Sequence, residues 1–175
     1  AAVEVAAGAC MAGRRAVVTM KQVGLNVAAD PLLSLAYVGI KGGMVLAVAD
    51  DPGPISSQTE QDTRTFASFC KIPVFDPSSP EAAYELVREA FRFSEEYGTP
   101  VLLRPTTRIC HGCASVKVED FADVERPQEG FVKDTAKWVI FPKTSYLNHA
   151  RIERRNAELE GILSKRPYNR VVSVG

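Results

Sequence analysis

Apolar residues along this chain come in two patterns. The first is short, unbroken apolar runs rich in β-branched residues: Ala16-Val17-Val18-Thr19-Met20, Met44 to Ala49, Pro73-Val74-Phe75 and Pro100-Val101-Leu102-Leu103. Runs that are apolar without alternation read as strands buried on both faces. The second is helical spacing. Residues 2–12 carry Ala2, Val5, Ala6 and Ala9 on one face and close at Gly13-Arg14-Arg15, a helix C-terminal signature. Asp30-Pro31 pairs an N-cap residue with proline at the first helical position, which predicts a helix from Pro31 to about Lys41, stopping at Gly42-Gly43. Ser56 or Ser57 is expected to cap a helix running through Gln61 to Cys70. Ser79-Pro80 caps another, with Ala83, Val87, Ala90, Phe91 and Ser94 on its inner face and Gly98 beyond its end.

Strand, loop and helix thus alternate, and this order implies right-handed βαβ units. The expected fold is α/β, a three-layer α/β/α arrangement with a mostly parallel sheet, in a single domain over 1–175. After Arg108 the pattern weakens. Val116 to Val118 and Trp138 to Phe141 are candidate strands, separated by the acidic stretch from Glu119 to Gly130. Residues 145–165 give a charged helix with Leu147, Ile152, Leu159, Ile162 and Leu163, broken by Pro167-Tyr168-Asn169 before Val171 to Val174. The segment 145–175 reads as a helix and the start of an interdomain connection.

Lys plus Arg and Asp plus Glu both number 21, so net charge gives no argument for a nucleic-acid or membrane partner. The longest apolar stretches are far short of a bilayer span, and Glu4 ahead of Arg14-Arg15 is the wrong order for a signal peptide. A cytoplasmic location is the expectation. The four cysteines, Cys10, Cys70, Cys110 and Cys113, are too unevenly scattered to suggest a disulfide framework. Cys110-His111-Gly112-Cys113 has the spacing of a redox pair or half a zinc site, but no further ligands can be assigned to it, and isolated thiols are the simpler reading. Gly8-x-x-x-x-Gly13 lacks the Lys-Ser/Thr of a phosphate loop and follows no strand.

In an open parallel sheet, ligands bind outside the carboxyl ends of the strands. The loops expected there are Lys21 to Asp30, Asp50 to Gln58, Asp76 to Pro80 and Arg104 to Gly112. Their residues carry a resemblance: Val-Thr-Met-Lys-Gln-Val-Gly-Leu-Asn-Val-Ala-Ala-Asp-Pro-Leu at 18–32, Ala-Asp-Asp-Pro-Gly at 49–53, Ser-Ser-Gln-Thr-Glu-Gln-Asp-Thr-Arg at 56–64, Arg-Pro-Thr-Thr-Arg at 104–108 and Gly-Phe-Val-Lys-Asp at 130–134. Together these resemble the α subunit of the indolepyruvate ferredoxin oxidoreductases, within the thiamine diphosphate-dependent 2-oxoacid:ferredoxin oxidoreductase family.

The resemblance implies an enzyme that decarboxylates an aryl 2-oxoacid, passes electrons through iron–sulfur clusters to ferredoxin and gives the acyl group to coenzyme A. It implies that this segment is the pyrimidine-binding domain. The implied partners are the remaining domains of the α subunit, a β subunit, and a second such domain in a dimer. Magnesium, the diphosphate and the 4Fe-4S clusters belong to other parts of such an enzyme. So does the glutamate that activates the pyrimidine, which the resemblance places just ahead of Ala1. The chain alone is therefore expected to be inactive. Pyruvate or 2-oxoglutarate remain alternative substrates, and a non-catalytic assembly or redox-sensing domain of the same fold is the alternative role.

Physically, a pyrimidine site needs an apolar slot and a few polar groups at the ring edge. Val23, Gly24, Leu25 and Asn26 answer that demand, and the alternative is a loop packed on its own sheet. Thr106, Thr107 and Arg108 end the fourth strand, where a guanidinium can fork onto a substrate carboxylate. Arg104 and Arg108 are otherwise residues satisfying nearby protein groups, and Lys21 faces either a ligand anion or a neighbouring carboxylate. Gln58, Glu60, Gln61 and Asp62 are read as helix-capping residues, and Thr59 stands where the family usually has Asn. The Val23–Asn26 segment and Thr106–Arg108 are expected on the same edge of the sheet.

Overall fold

The computed structural model describes residues 1–53, 55, 57–118, 130–169 and 171–174. All four expected strands form: β1 (Ala16–Lys21), β2 (Met44–Ala49), β3 (Val74–Phe75) and β4 (Val101–Leu103). They make one parallel sheet in the order β1-β2-β4-β3. The chain steps from β1 to its neighbour β2, jumps past the place of β4 to β3, then returns to β4. If every crossover has the same hand, the reversal must move the last helix to the opposite face.

The packing shows this. The first two crossovers carry α2 (Gln22–Val27) and α3 (Ala29–Val38), then α4 (Thr63–Cys70), and the third carries α5 (Pro80–Tyr97). Leu32, Leu35, Ala36, Ala67 and Cys70 cluster with Val18, Met44, Leu46, Val48 and Leu102, joined by Val3, Ala6 and Cys10 of α1 (Ala2–Met11). On the other face, Leu86, Ala90 and Phe93 of α5 pack on Val45, Phe75, Val101 and Leu103. Successive strand residues point to opposite faces, and here both faces are dry, so Met44 to Val48 must be apolar throughout. The result is the expected three-layer α/β/α architecture.

Element boundaries hold where local chemistry is strong. The Ser79 side chain accepts from Ala82 N at 3.1 Å, Pro80 opens α5, and Gly98 closes it at φ 60°. Within α5 the buried Ser94 hydroxyl lies 2.9 Å from Met44 N and 2.7 Å from Thr99 O, which ties the helix to the start of β2.

Several expectations are corrected. The segment after β1 is helical: α2 and α3 occupy 22–38, so Val23 to Asn26 are on a helix and not in a loop. Asp30 lies inside the first turn of α3, and Pro31 beside it loses nothing, because early helical N–H groups have no intrahelical acceptor. α3 ends at Val38, with Gly39 at φ 76°, before Gly42-Gly43 is reached. α4 begins at Thr63, and its N-cap is Asp62, whose carboxylate accepts from Arg64 N at 3.0 Å. Ser57 therefore caps no helix, while Ser56 and residues 119–129 lie outside the described residues.

Neither Val116–Val118 nor Trp138–Phe141 forms a strand. Instead Asp134 caps a short helix α7 (Thr135–Trp138), accepting from Ala136 N at 2.9 Å, and Val139 to Phe141 lead into α8 (Pro142–Leu163). Leu147, expected in the core, is 60% exposed, whereas Ile152 and Leu159 are buried. Arginines of α8 reach the carboxyl ends of the other helices: Arg151 Nη2 donates to Tyr37 O at 2.8 Å and Arg155 Nη2 to Lys71 O at 2.9 Å. α8 thus covers the end of the sheet where the strands begin, leaving their carboxyl ends to other residues. No helix among the described residues is long and apolar enough to cross a membrane.

Candidate active site at the strand carboxyl ends

Past β4 the parallel pairing with the β2 side continues for one more register. Asp50 bridges Thr106, with Asp50 N donating to Pro105 O at 3.0 Å and Thr107 N to Asp50 O at 2.9 Å. This sets Thr107 beside the end of β2. Its hydroxyl lies 2.7 Å from Asp51 Oδ1 and 3.1 Å from Asp50 O, and from the far side Lys21 Nζ stands 3.9 Å from Asp51 Oδ2. Lys21 and Thr107 are therefore brought together, as the strand order requires, with the buried Asp51 carboxylate between them. Arg108, the next residue along α6 (Thr107–Cys110), is exposed, and its guanidinium has no partner among the described residues. Burial pushes the Cys110 thiol up from its ordinary range, and the Lys21 charge acts on it in the opposite direction.

The α2 residues divide by face. Leu25 is 1% exposed and belongs to the core beneath α1 and α3, while Val23 and Asn26 face outward. A Cβ at Gly24 would sit 3.1 Å from Met20 Cβ, so its small size lets α2 fold back on the end of β1. Gln22, which carries no local sequence signal, is fully buried: Nε2 donates to Thr59 O at 3.4 Å, and Oε1 has no partner among the described residues.

Arg104 is turned inward. Its Nε donates to Asp50 Oδ2 at 2.5 Å and Nη1 to Asp76 Oδ2 at 3.1 Å, with Asp62 Oδ1 at 3.7 Å from Nη2. Thr63 N and Oγ1 both donate to the same Asp50 oxygen at 3.1 Å. This residue satisfies protein carboxylates and braces β2, β4 and the start of α4 against one another. Asp62 is held down to about 2, chiefly by the Arg64 side chain and then by Arg64 N and the nearby Arg104 charge, against a desolvation that opposes them. Gln58, Glu60 and Gln61 precede α4 in non-helical backbone and do not cap it.

Sequence reasoning missed Asp50, Asp51 and Gln22. The available signal is two acids directly after a buried strand, in the loop from Asp50 to Gln58. Cys10 and Cys70 are buried free thiols, and Cys110 and Cys113 are exposed free thiols. Among the described residues no three His, Cys, Asp or Glu side chains are grouped to hold a metal ion.

A four-stranded parallel sheet covered by helices on both faces, with polar side chains gathered at its carboxyl end, defines an α/β protein of the open-sheet class. No protein-family model matches the chain. It is 42% identical over 175 residues, 99% of its length, to the indolepyruvate oxidoreductase subunit IorA of Methanothermobacter thermautotrophicus. It is 45% identical over 152 residues to the subunit of that name from Archaeoglobus fulgidus, and 40% over 172 residues to that from Pyrococcus horikoshii. Over nearly its whole length, the chain is thus similar to the N-terminal portion of indolepyruvate oxidoreductase subunits IorA. It spans only about a quarter of those relatives, 28%, 23% and 26% of their lengths.

Proposed function

We propose that the chain is the pyrimidine-binding domain of a thiamine diphosphate-dependent 2-oxoacid oxidoreductase subunit. In this reading the enzyme oxidatively decarboxylates indolepyruvate to an acyl-coenzyme A, with electrons passing to ferredoxin. The name carried by the relatives supports the substrate and the reaction class. The observation that carries the site is the Lys21–Asp51–Thr107 cluster with Arg108 beside it, whose guanidinium has no partner among the described residues.

The residues present fit one half of such a site. On the outward face of α2, Val23 offers an apolar contact and Asn26 an amide that both donates and accepts. Behind them Gln22 Oε1 is a buried acceptor without a donor among the described residues, a need that an N–H on a flat ring would answer. Thiamine diphosphate supplies the electron sink for decarboxylation. This chain's part is to hold the ring edge, keep water from one side of it and orient the substrate. Lys21 and Thr107, fixed by Asp51, frame the approach, and Arg108 takes the 2-oxoacid carboxylate in a forked ion pair.

In this account the diphosphate, magnesium and iron–sulfur clusters are held by the rest of the enzyme, so the chain alone is expected to be inactive. Its partners are the remaining domains of the subunit, the β subunit, ferredoxin and a second copy of the domain, in the cytoplasm.

Arg108→Ala in the complete enzyme is expected to raise the KM for indolepyruvate by about 10- to 150-fold, corresponding to about 1.5–3 kcal/mol for one charge-assisted bond. Thiamine diphosphate affinity is expected to change by less. Steady-state kinetics with a viologen acceptor, paired with a cofactor titration, separate the two. Loss of cofactor affinity with an unaltered KM would make Arg108 a cofactor or scaffold residue.

A further inference from the structure

At the opposite end of the sheet from the candidate active site, α3, α5, α7 and α8 surround a recess of about 280 Å³. Gly39 and Gly98, which end α3 and α5, form part of its wall with Tyr97, and the charged residues in the lining are Lys137, Arg151 and Arg155. Among the described residues no carboxylate lines it. Arg151 donates to Tyr37 O, Arg155 to Lys71 O with longer contacts to Asn156, and Lys137 Nζ stands 4.3 Å from the centroid of the Trp138 ring. Among the described residues none of the three cations has an ion pair within 4 Å. Glu96 and Glu158 act on the Tyr97 hydroxyl and are not paired with these cations.

Helix ends do not balance this charge. Each helix C-terminus carries about half a negative charge, so the ends of α3, α4 and α5 offset about one and a half of three formal positive charges. Arg151 is exposed, but Lys137 and Arg155 are partly withdrawn from water, where charged groups are ordinarily paired. Arg155 shows the imbalance: burial, and after it the neighbouring Arg151 charge, pulls its guanidinium down to about 10.

We propose that this recess binds a doubly charged oxyanion of the phosphate-ester class, held between Arg151, Arg155 and Lys137. Two planar guanidinium forks and a mobile ammonium suit a tetrahedral dianion with several acceptor oxygens. The site is separate from the carboxyl-end cluster, so it stands whether or not the thiamine assignment holds.

The test is a titration of the 175-residue chain with inorganic phosphate at pH 8, where the dianion prevails, at constant ionic strength. Arginine side-chain N–H resonances report occupancy, and acetate serves as the monoanion control. Saturable shifts confined to Arg151 and Arg155 are expected with phosphate and not with acetate. Affinity should fall about tenfold in each of Lys137→Ala and Arg151→Ala, the effect of losing one charge-assisted contact. Both side chains lie at or near the surface, so the dispersion of the remaining resonances verifies that the variants are folded. Non-saturable shifts, equal binding of acetate, or unchanged affinity in both folded variants would overturn the proposal.

Discussion

Arg104→Ala is expected to lower the unfolding free energy by about 3–5 kcal/mol, the cost of removing one partner of a buried ion pair. Asp50 and Arg104 are both buried, and the Asp50 carboxylate accepts from Arg104 Nε, Thr63 N, Thr63 Oγ1 and Asp51 N. Alanine at 104 leaves that carboxylate without its counter-charge in a site closed to water, and also releases Asp76 from Nη1. The loss comes mostly from the charge left behind. The double variant Asp50→Ala/Arg104→Ala should therefore be more stable than the sum of the two single losses implies. Urea unfolding of the two single variants and the double variant measures this coupling. A loss below about 1 kcal/mol for Arg104→Ala would mean that water reaches the pair, and that it does not brace the strand ends carrying Asp51 and Thr107.

Gly42→Ala is expected to cost about 3 kcal/mol or more, at or beyond the upper end of ordinary overpacking. A Cβ at this position would sit 2.1 Å from Arg14 O and 2.6 Å from Arg14 C. Both are backbone atoms, so no rotamer change relieves the contact. The approach is fixed from two sides: Lys41 N and Gly42 N both donate to Cys10 O, at 3.2 and 2.8 Å, locking the lead-in to β2 against the end of α1. Gly8→Ala is the internal control. That glycine lies within α1 with open space around its missing Cβ, so the substitution should stabilise by up to about 1 kcal/mol. Thermal unfolding of the two variants should move in opposite directions. Equal Tm for Gly42→Ala and the parent would show that the two backbone segments are not pressed together.

What the sequence revealed follows from how local each cause is. The strands were readable because a sheet covered on both faces demands unbroken β-branched apolar runs, and α5 because Ser79-Pro80 and Gly98 mark its ends within a single turn. α2 was not readable. It is six residues long and contains Gly24 and Asn26, both poor helix formers; it is helical because Leu25 finds a place in the core and Gly24 lets it pack on Met20. The start of α4 was misplaced because several residues from Ser56 to Asp62 are competent caps, and only the tertiary contact of Thr63 with Asp50 selects Asp62. The apolar run Trp138–Phe141 looked like a strand, yet neither sheet edge is extended by it.

The candidate site divides in the same way. Lys21 and Thr107 were found because any parallel sheet delivers residues at strand ends to one edge. Their link through Asp51, and the capture of Arg104 by Asp50 and Asp76, join residues far apart in sequence, and no local pattern announces such pairs.

The most direct test of the central claim, that this segment supplies the pyrimidine-facing half of a thiamine site, is amide hydrogen exchange in the complete oxidoreductase with and without thiamine diphosphate and magnesium. The account predicts slowed exchange in α2 and across Thr106 to Arg108 on adding cofactor, with Arg151 to Arg155 of α8 unchanged. Protection confined to other parts of the enzyme, with α2 and Thr106 to Arg108 exchanging as before, would contradict it.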